Sequence, residues 1–202
     1  MRKAIQHLKQ ADPVMSAIIE RVGPFQMEYK VADFHSLTRS IVFQQLSGKA
    51  AATIFGRVVE AAKGLDPLTP EAVLKVRPEK LRAAGLSQQK LAYVRDLAQK
   101  TRDGVVDFAA LPTLPDEEVI AHLTQVKGVG VWTVQMLLMF ALKRRDVLPV
   151  ADLGIRNAMQ RAYELPAPPK PKEMEAIAEK WRPYRTVACW YLWRSLDGPA
   201  AM

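Results

Sequence analysis

Four residues past the middle of the chain, Lys127-Gly128-Val129-Gly130, join two segments of apolar periodicity. Val119, Ile120, Leu123 and Val126 make one apolar helical face, and Val134, Leu137, Leu138 and Ala141 make another. So short a junction predicts a helix-hairpin-helix over about residues 115–142. Glycines on both sides of Val129 permit positive φ and close backbone approach, while Val129 can point down and pin the two helices. The second helix then begins with N–H groups that have no intrahelical partner. That is an anion site, and a DNA phosphate fits it. Lys127, Gly128, Val129, Gly130 and Thr133 are the candidate phosphate contacts, which would position a duplex without reading its sequence. The plain alternative is an αα-hairpin with a glycine C-cap and no ligand. A second candidate is Asp152, a carboxylate between Ala151 and Leu153 at an expected helix start, where it could equally be an N-cap.

Charge agrees with a polyanionic partner. The 202 residues carry 29 Lys and Arg against 21 Asp and Glu, a formal net charge of +8. A lone cysteine, Cys189, excludes an intrachain disulfide framework, a multi-cysteine zinc site and an iron–sulfur cluster. His7, His35 and His122 show no metal-ligand spacing. No apolar run approaches the about 18 residues of a spanning helix, and the basic start has no apolar stretch behind it. The expectation is a soluble cytoplasmic protein, nucleoid-associated when on DNA, with no membrane partner.

The elements that must position these residues read as helices. Val14, Ile18 and Val22 have helical spacing. Asp33, Thr69 with Pro70, and Ser87 are start signals. Further helices are expected over 49–62, 78–84, 116–124, 131–142, 152–163, 171–180 and 184–195, with a loop over 111–115. Val105-Val106 and Val147-Leu148 are too short for a sheet. The fold class is all-α: a compact domain over residues 1–202, of about ten helices in two lobes with the hairpin at the cleft.

Beyond the hairpin, Val147-Leu-Pro-Val-Ala-Asp-Leu-Gly-Ile-Arg156 follows as a Pro-containing loop and an aspartate. Together they resemble the helix-hairpin-helix DNA glycosylase superfamily. Trp181-Arg-Pro-Tyr-Arg-Thr-Val-Ala-Cys-Trp-Tyr-Leu-Trp193, Ile41-Val-Phe-Gln-Gln-Leu-Ser47 and Gly85-Leu-Ser-Gln-Gln-Lys-Leu91 are similar to its 3-methyladenine DNA glycosylase II branch. The resemblance runs from about Asp33 to Ser195 and leaves the first 30 residues unplaced.

The resemblance implies a base-excision enzyme that flips out alkylated bases of the 3-methyladenine and 7-methylguanine type and hydrolyses the N-glycosidic bond. Asp152 would be the catalytic carboxylate that stabilises positive charge on the sugar. Leu46, with Gln45 beside it, would be the wedge entering the base stack, against the alternative of a core leucine. Trp132 and Trp193 would line the base pocket, where an indole face attracts a cationic purine by about 0.5–2 kcal/mol, against the alternative of aromatic core packing. Met136, one turn after Trp132, stands where some relatives have an aromatic residue. Relatives that also cut the strand carry lysine at position 132, so Trp132 implies a monofunctional enzyme leaving an abasic site. No cofactor is required, but the backbone carbonyls of Thr124, Val126 and Gly128 would hold a Na+ or K+ ion. Arg156 and Arg185 could touch phosphates or fix loops by ion pairs. The partner is double-stranded DNA containing alkylated bases, met by a monomer. A non-catalytic DNA damage-binding module, a glycosylase for oxidised or mismatched bases, and a purely structural helical protein are the competing readings.

Overall fold

The computed structural model describes residues 1–197 and is helical, with no strand among them. In chain order the helices are α1 (Arg2–Ala11), α2 (Pro13–Val22), α3 (Phe34–Phe43), α4 (Gly48–Ala61), α5 (Pro70–Lys75), α6 (Pro78–Ala83), α7 (Gln88–Arg102), α8 (Asp116–Leu123), α9 (Val131–Phe140), α10 (Leu153–Ala162), α11 (Pro171–Ala178) and α12 (Arg185–Leu196). Short 3-10 turns cover Leu111–Thr113, within the expected loop, and Glu179–Trp181. Among the described residues there are therefore twelve α-helices rather than about ten. No helix among the described residues is long and apolar enough to cross a membrane.

Local chemistry sets most of the starts. The side chains of Asp33, Thr69 and Ser87 accept the N–H groups of Ser36, Ala72 and Lys90, and Pro13, Pro70, Pro78 and Pro171 occupy first turns. Helix α1 has no start signal, because Met1 at its N-cap makes no side-chain cap. It buries Ala4 and Leu8, one turn apart, with its charged residues on the other faces.

The described residues form two compact units, one of residues 30–137 and one of residues 1–29 with 138–197. In the first, α7 packs on α3, α5 and α6. In the second, α12 packs on α10, α2 and α1. Every residue of α12 from Thr186 to Leu192 is buried, so this helix is the centre of its unit. Burial pushes the Cys189 thiol up, which keeps it neutral and unreactive.

A buried polar cluster binds the first residues to the last in that second unit. Asp12 has no exposed surface and caps α2 through the N–H of Val14 at 3.0 Å. Its Oδ2 accepts hydrogen bonds from the Tyr163 hydroxyl and, at 2.8 Å, the Trp181 indole, and meets Lys180 Nζ at 3.2 Å. Burial pulls the Asp12 carboxyl up, but the bonds from Tyr163, Trp181 and Lys180 outweigh it and hold it below its ordinary value.

Candidate functional site

Asp152 closes the loop after α9 and caps α10. Its backbone N–H donates to the carbonyl of Pro149 at 2.9 Å, which turns the chain into the helix. Its Oδ1 accepts the N–H of Ile155 at 2.8 Å and the indole N–H of Trp193 at 2.9 Å. The carboxylate is only 8 % exposed and sits at a helix N-terminus, where the dipole suits an anion. Cap and candidate catalytic group are thus the same side chain.

Trp193, expected in the base pocket, is half-buried and stacks on Phe140 at 5.8 Å between ring centroids with an interplanar angle of 25°. Its N–H is committed to Asp152, so the residue orients the carboxylate whatever else its ring meets. Gly154 makes that contact sterically open. A Cβ there would lie 3.0 Å from Trp193 Cδ1 and 3.1 Å from both Trp193 Nε1 and Asp152 Oδ1. Sequence reading missed this residue; its signal was a glycine in the first turn of a helix, which propensity disfavours.

The loop carrying Asp152 is clamped to the start of α12. Arg185 grips Asp146 with Nε at 2.7 Å from Oδ1 and Nη2 at 3.0 Å from Oδ2, and Arg182 adds Nη1 at 2.8 Å. The buried Thr186 hydroxyl donates to the Arg144 carbonyl at 2.8 Å and accepts the Val147 N–H at 3.0 Å. Arg156 Nε donates to the Pro169 carbonyl at 3.2 Å. Of the two roles open to Arg156 and Arg185, the structure shows the loop-fixing one.

In the other unit the hairpin has the expected turn with one correction. Only Gly128 takes positive φ, at 77°; Gly130 does not. A Cβ on Gly128 would overlap the Tyr93 ring, so both the backbone angle and the space require glycine there. Val129 is buried under the turn, and Lys127, Gly128 and Gly130 are exposed. Thr133 is buried, so any part it takes in holding a phosphate falls to the backbone at the start of α9. The Lys127 N–H donates to Asp96 at 2.9 Å, and Lys100 Nζ reaches the Gln125 carbonyl at 2.8 Å. Burial pulls the Asp96 carboxyl up, but the Lys100 and Lys127 bonds win and hold it low.

Of the candidate cation-holding carbonyls, Val126 accepts the Val129 N–H at 3.1 Å and Gly128 accepts Gln44 Nε2 at 2.9 Å. A carbonyl has two lone pairs, so an oxygen-seeking monovalent ion remains compatible with this set.

Leu46 is 41 % exposed on the turn after α3, which excludes the core alternative. Gln45 beside it is left-handed, with φ 56°. Trp132 is 43 % exposed, so it is no core residue either, and Met136 follows one turn later on the same face of α9, half-buried.

Comparison with known proteins gives consistent matches. The family described as HhH-GPD superfamily base excision DNA repair protein matches residues 38–183. The chain is 36 % identical over 199 residues to DNA-3-methyladenine glycosylase 1 of Schizosaccharomyces pombe, covering 96 % of this chain and 87 % of that protein. The solved structure of the Schizosaccharomyces pombe 3-methyladenine DNA glycosylase in complex with abasic DNA matches with a TM-score of 0.81 at 36 % identity, covering 95 % of each chain. That of a DNA-3-methyladenine glycosidase from Bacillus halodurans matches with a TM-score of 0.85 at 38 % identity, covering 94 % of this chain and 87 % of that one.

Proposed function

Since this chain belongs to the HhH-GPD superfamily of base excision DNA repair proteins, we propose that it is a monofunctional DNA glycosylase that releases alkylated bases from duplex DNA. The observation that carries the reading is the Asp152 carboxylate, nearly buried and fixed through Oδ1 by the Ile155 N–H at 2.8 Å and the Trp193 indole at 2.9 Å.

That arrangement suits hydrolysis at C1′ of the deoxyribose. The bond from C1′ to the base breaks, and its electron pair leaves with the base. A base alkylated at N3 or N7 is cationic, so it departs neutral and asks for little acid assistance. The sugar left behind has oxocarbenium character. A carboxylate already oriented and shielded from water stabilises that charge without reorganising. Water then bonds to C1′, and its proton passes to Asp152 or to solvent, leaving an abasic site. With Trp132 where a strand-cutting relative needs lysine, no Schiff base forms.

The remaining roles follow the same reading. The hairpin backbone and Lys127 take phosphates; the carbonyls of Thr124, Val126 and Gly128 would hold a Na+ or K+ ion, which would add positive charge there. Leu46 and Gln45 fill the gap left by the extruded nucleotide, and Trp132 with Met136 takes the cationic base by stacking. The protein works on double-stranded DNA as a monomer.

The test is release of free base from N-methylated duplex DNA. Release of 3-methyladenine or 7-methylguanine, with abasic but uncut strands, is expected. DNA binding without release would leave a damage-binding module. Release confined to oxidised or mismatched bases would overturn the alkylated-base substrate.

Gly154→Ala probes the carboxylate mount. The added methyl requires the indole or the Asp152 oxygen to give by a few tenths of an ångström, and misplacement of catalytic groups is costly, so base release should fall by several-fold, up to about ten-fold. The thermal midpoint should move little, because the site is at a helix end rather than in the core. Unchanged release would mean that the Trp193 contact to Asp152 is dispensable.

A further inference from the structure

We propose that Lys90 is the positioning residue of the wedge turn: its ammonium closes the end of α3 and holds Gln45 and Leu46 in their protruding conformation, and Gln44 fastens that turn to the hairpin. This rests on the reading of Leu46 as the wedge.

Helix α3 ends at Phe43, and its last carbonyls have no intrahelical donors. Lys90 Nζ fills that role, donating to the carbonyl of Val42 at 2.7 Å and of Gln44 at 2.6 Å. A cation at a helix C-terminus is also favoured by the dipole. The turn needs such a clamp. Gln45 is a non-glycine residue at φ 56°, a conformation that is strained for an L residue, and Leu46 projects into solvent at apolar cost. Neither is a state the chain would hold unaided.

The same helix face holds the hairpin. Lys90, Tyr93, Asp96 and Lys100 lie at successive turns of α7. Lys90 takes the wedge turn, the Tyr93 ring fills the space where Gly128 has no Cβ, Asp96 accepts the Lys127 N–H and Lys100 reaches the Gln125 carbonyl. Gln44 Nε2, at 2.9 Å from the Gly128 carbonyl, joins the two turns directly. Gln44, Gln45, Leu46, Lys90, Tyr93 and Gly128 all line one cleft of about 450 Å3. The α7 face therefore sets the distance between the turn that enters the base stack and the turn that holds the backbone. The two groups that the Lys90 ammonium meets are carbonyls, not carboxylates, so its charge serves the turn.

The test uses an equilibrium readout that does not depend on catalysis. A duplex carries 2-aminopurine beside an abasic-site analogue, and its fluorescence at saturating protein reports unstacking by the wedge. The variants are Leu46→Ala, Lys90→Met, which keeps the half-buried stem and removes the ammonium, and the double variant. Lys90→Gln replaces Lys90→Met if the latter does not fold. Wild type should raise the fluorescence, each single variant should lose most of the rise, and the double variant should lose no more than the worse single one. Lys90→Met matching wild type while Leu46→Ala loses the rise overturns the role of Lys90 and leaves the wedge standing. Leu46→Ala matching wild type, or no rise with wild type, overturns the wedge and this inference with it. A double variant that loses clearly more of the rise than the worse single one shows Lys90 acting elsewhere than through Leu46 and overturns the inference.

Discussion

Asp152→Asn should remove base release while leaving fold and DNA binding in place. The asparagine side chain keeps a carbonyl oxygen that can accept the Ile155 and Trp193 N–H groups now bound at 2.8 and 2.9 Å, so the cap on α10 survives. What it lacks is the negative charge. Preorganised charge stabilisation lost from a water-poor site typically costs about 10²–10³-fold in rate, and loss of a group that also orients water adds to that. The measurement is single-turnover release from methylated duplex beside binding to an abasic duplex. Release that falls while the affinity stays within a few-fold of wild type separates chemistry from docking. A variant that releases base at the wild-type rate would remove Asp152 from the mechanism and reduce it to a helix cap.

The largest expected effect on stability is Asp12→Asn. The three groups meeting Asp12 Oδ2 are all donors, the Tyr163 hydroxyl, the Trp181 indole N–H and the Lys180 ammonium. An amide can keep one oxygen for the α2 cap or turn it toward these donors, but not both. Lys180 is 42 % exposed, so water can replace its partner, and the loss concentrates on the two buried donors and the cap. About 3–5 kcal/mol is expected, a large share of the about 5–15 kcal/mol by which a domain is stable. Urea unfolding at neutral pH gives the comparison. Its pH dependence follows from the depressed Asp12 carboxyl. The stabilisation is fully present above the unfolded value of 3.8 and is lost as pH falls through the lower folded value. Wild type and variant should therefore converge in strongly acidic solution. A gap that stays constant through that range would show that the cluster does not depend on ionised Asp12.

Local signals in the sequence determine much of this protein. Each works over three or four residues. Asp33, Thr69, Ser87 and Asp152 each cap a helix through the N–H three positions further along the chain, and prolines fill first turns because their missing N–H has no partner to lose there. The hairpin belongs to the same class, since a glycine at φ 77° between two apolar-periodic segments is a local demand. Helix α1 has no such cap, since Met1 at its N-cap makes no side-chain hydrogen bond, and only the apolar stripe through Ala4 and Leu8 marks it.

Tertiary structure decided what those elements present to one another within each unit. Nothing in the spacing of Asp152 and Trp193, 41 positions apart, says that the indole N–H is spent on the carboxylate. Asp12 finds Tyr163 and Trp181 across 151 and 169 positions. Lys90 finds the end of α3 across 48 and 46. Arg185 was open to phosphate or ion pairing until Asp146 appeared opposite it. The exposure of Leu46 and Trp132 was undecided in the same way, because an apolar residue at a helix end packs or protrudes according to what lies over it. Caps, turns and apolar stripes are written by near neighbours in the chain. Side-chain hydrogen bonds between distant segments have no period and leave no local mark, and it is these bonds that orient the carboxylate, clamp its loop and fasten the turns of the proposed DNA surface.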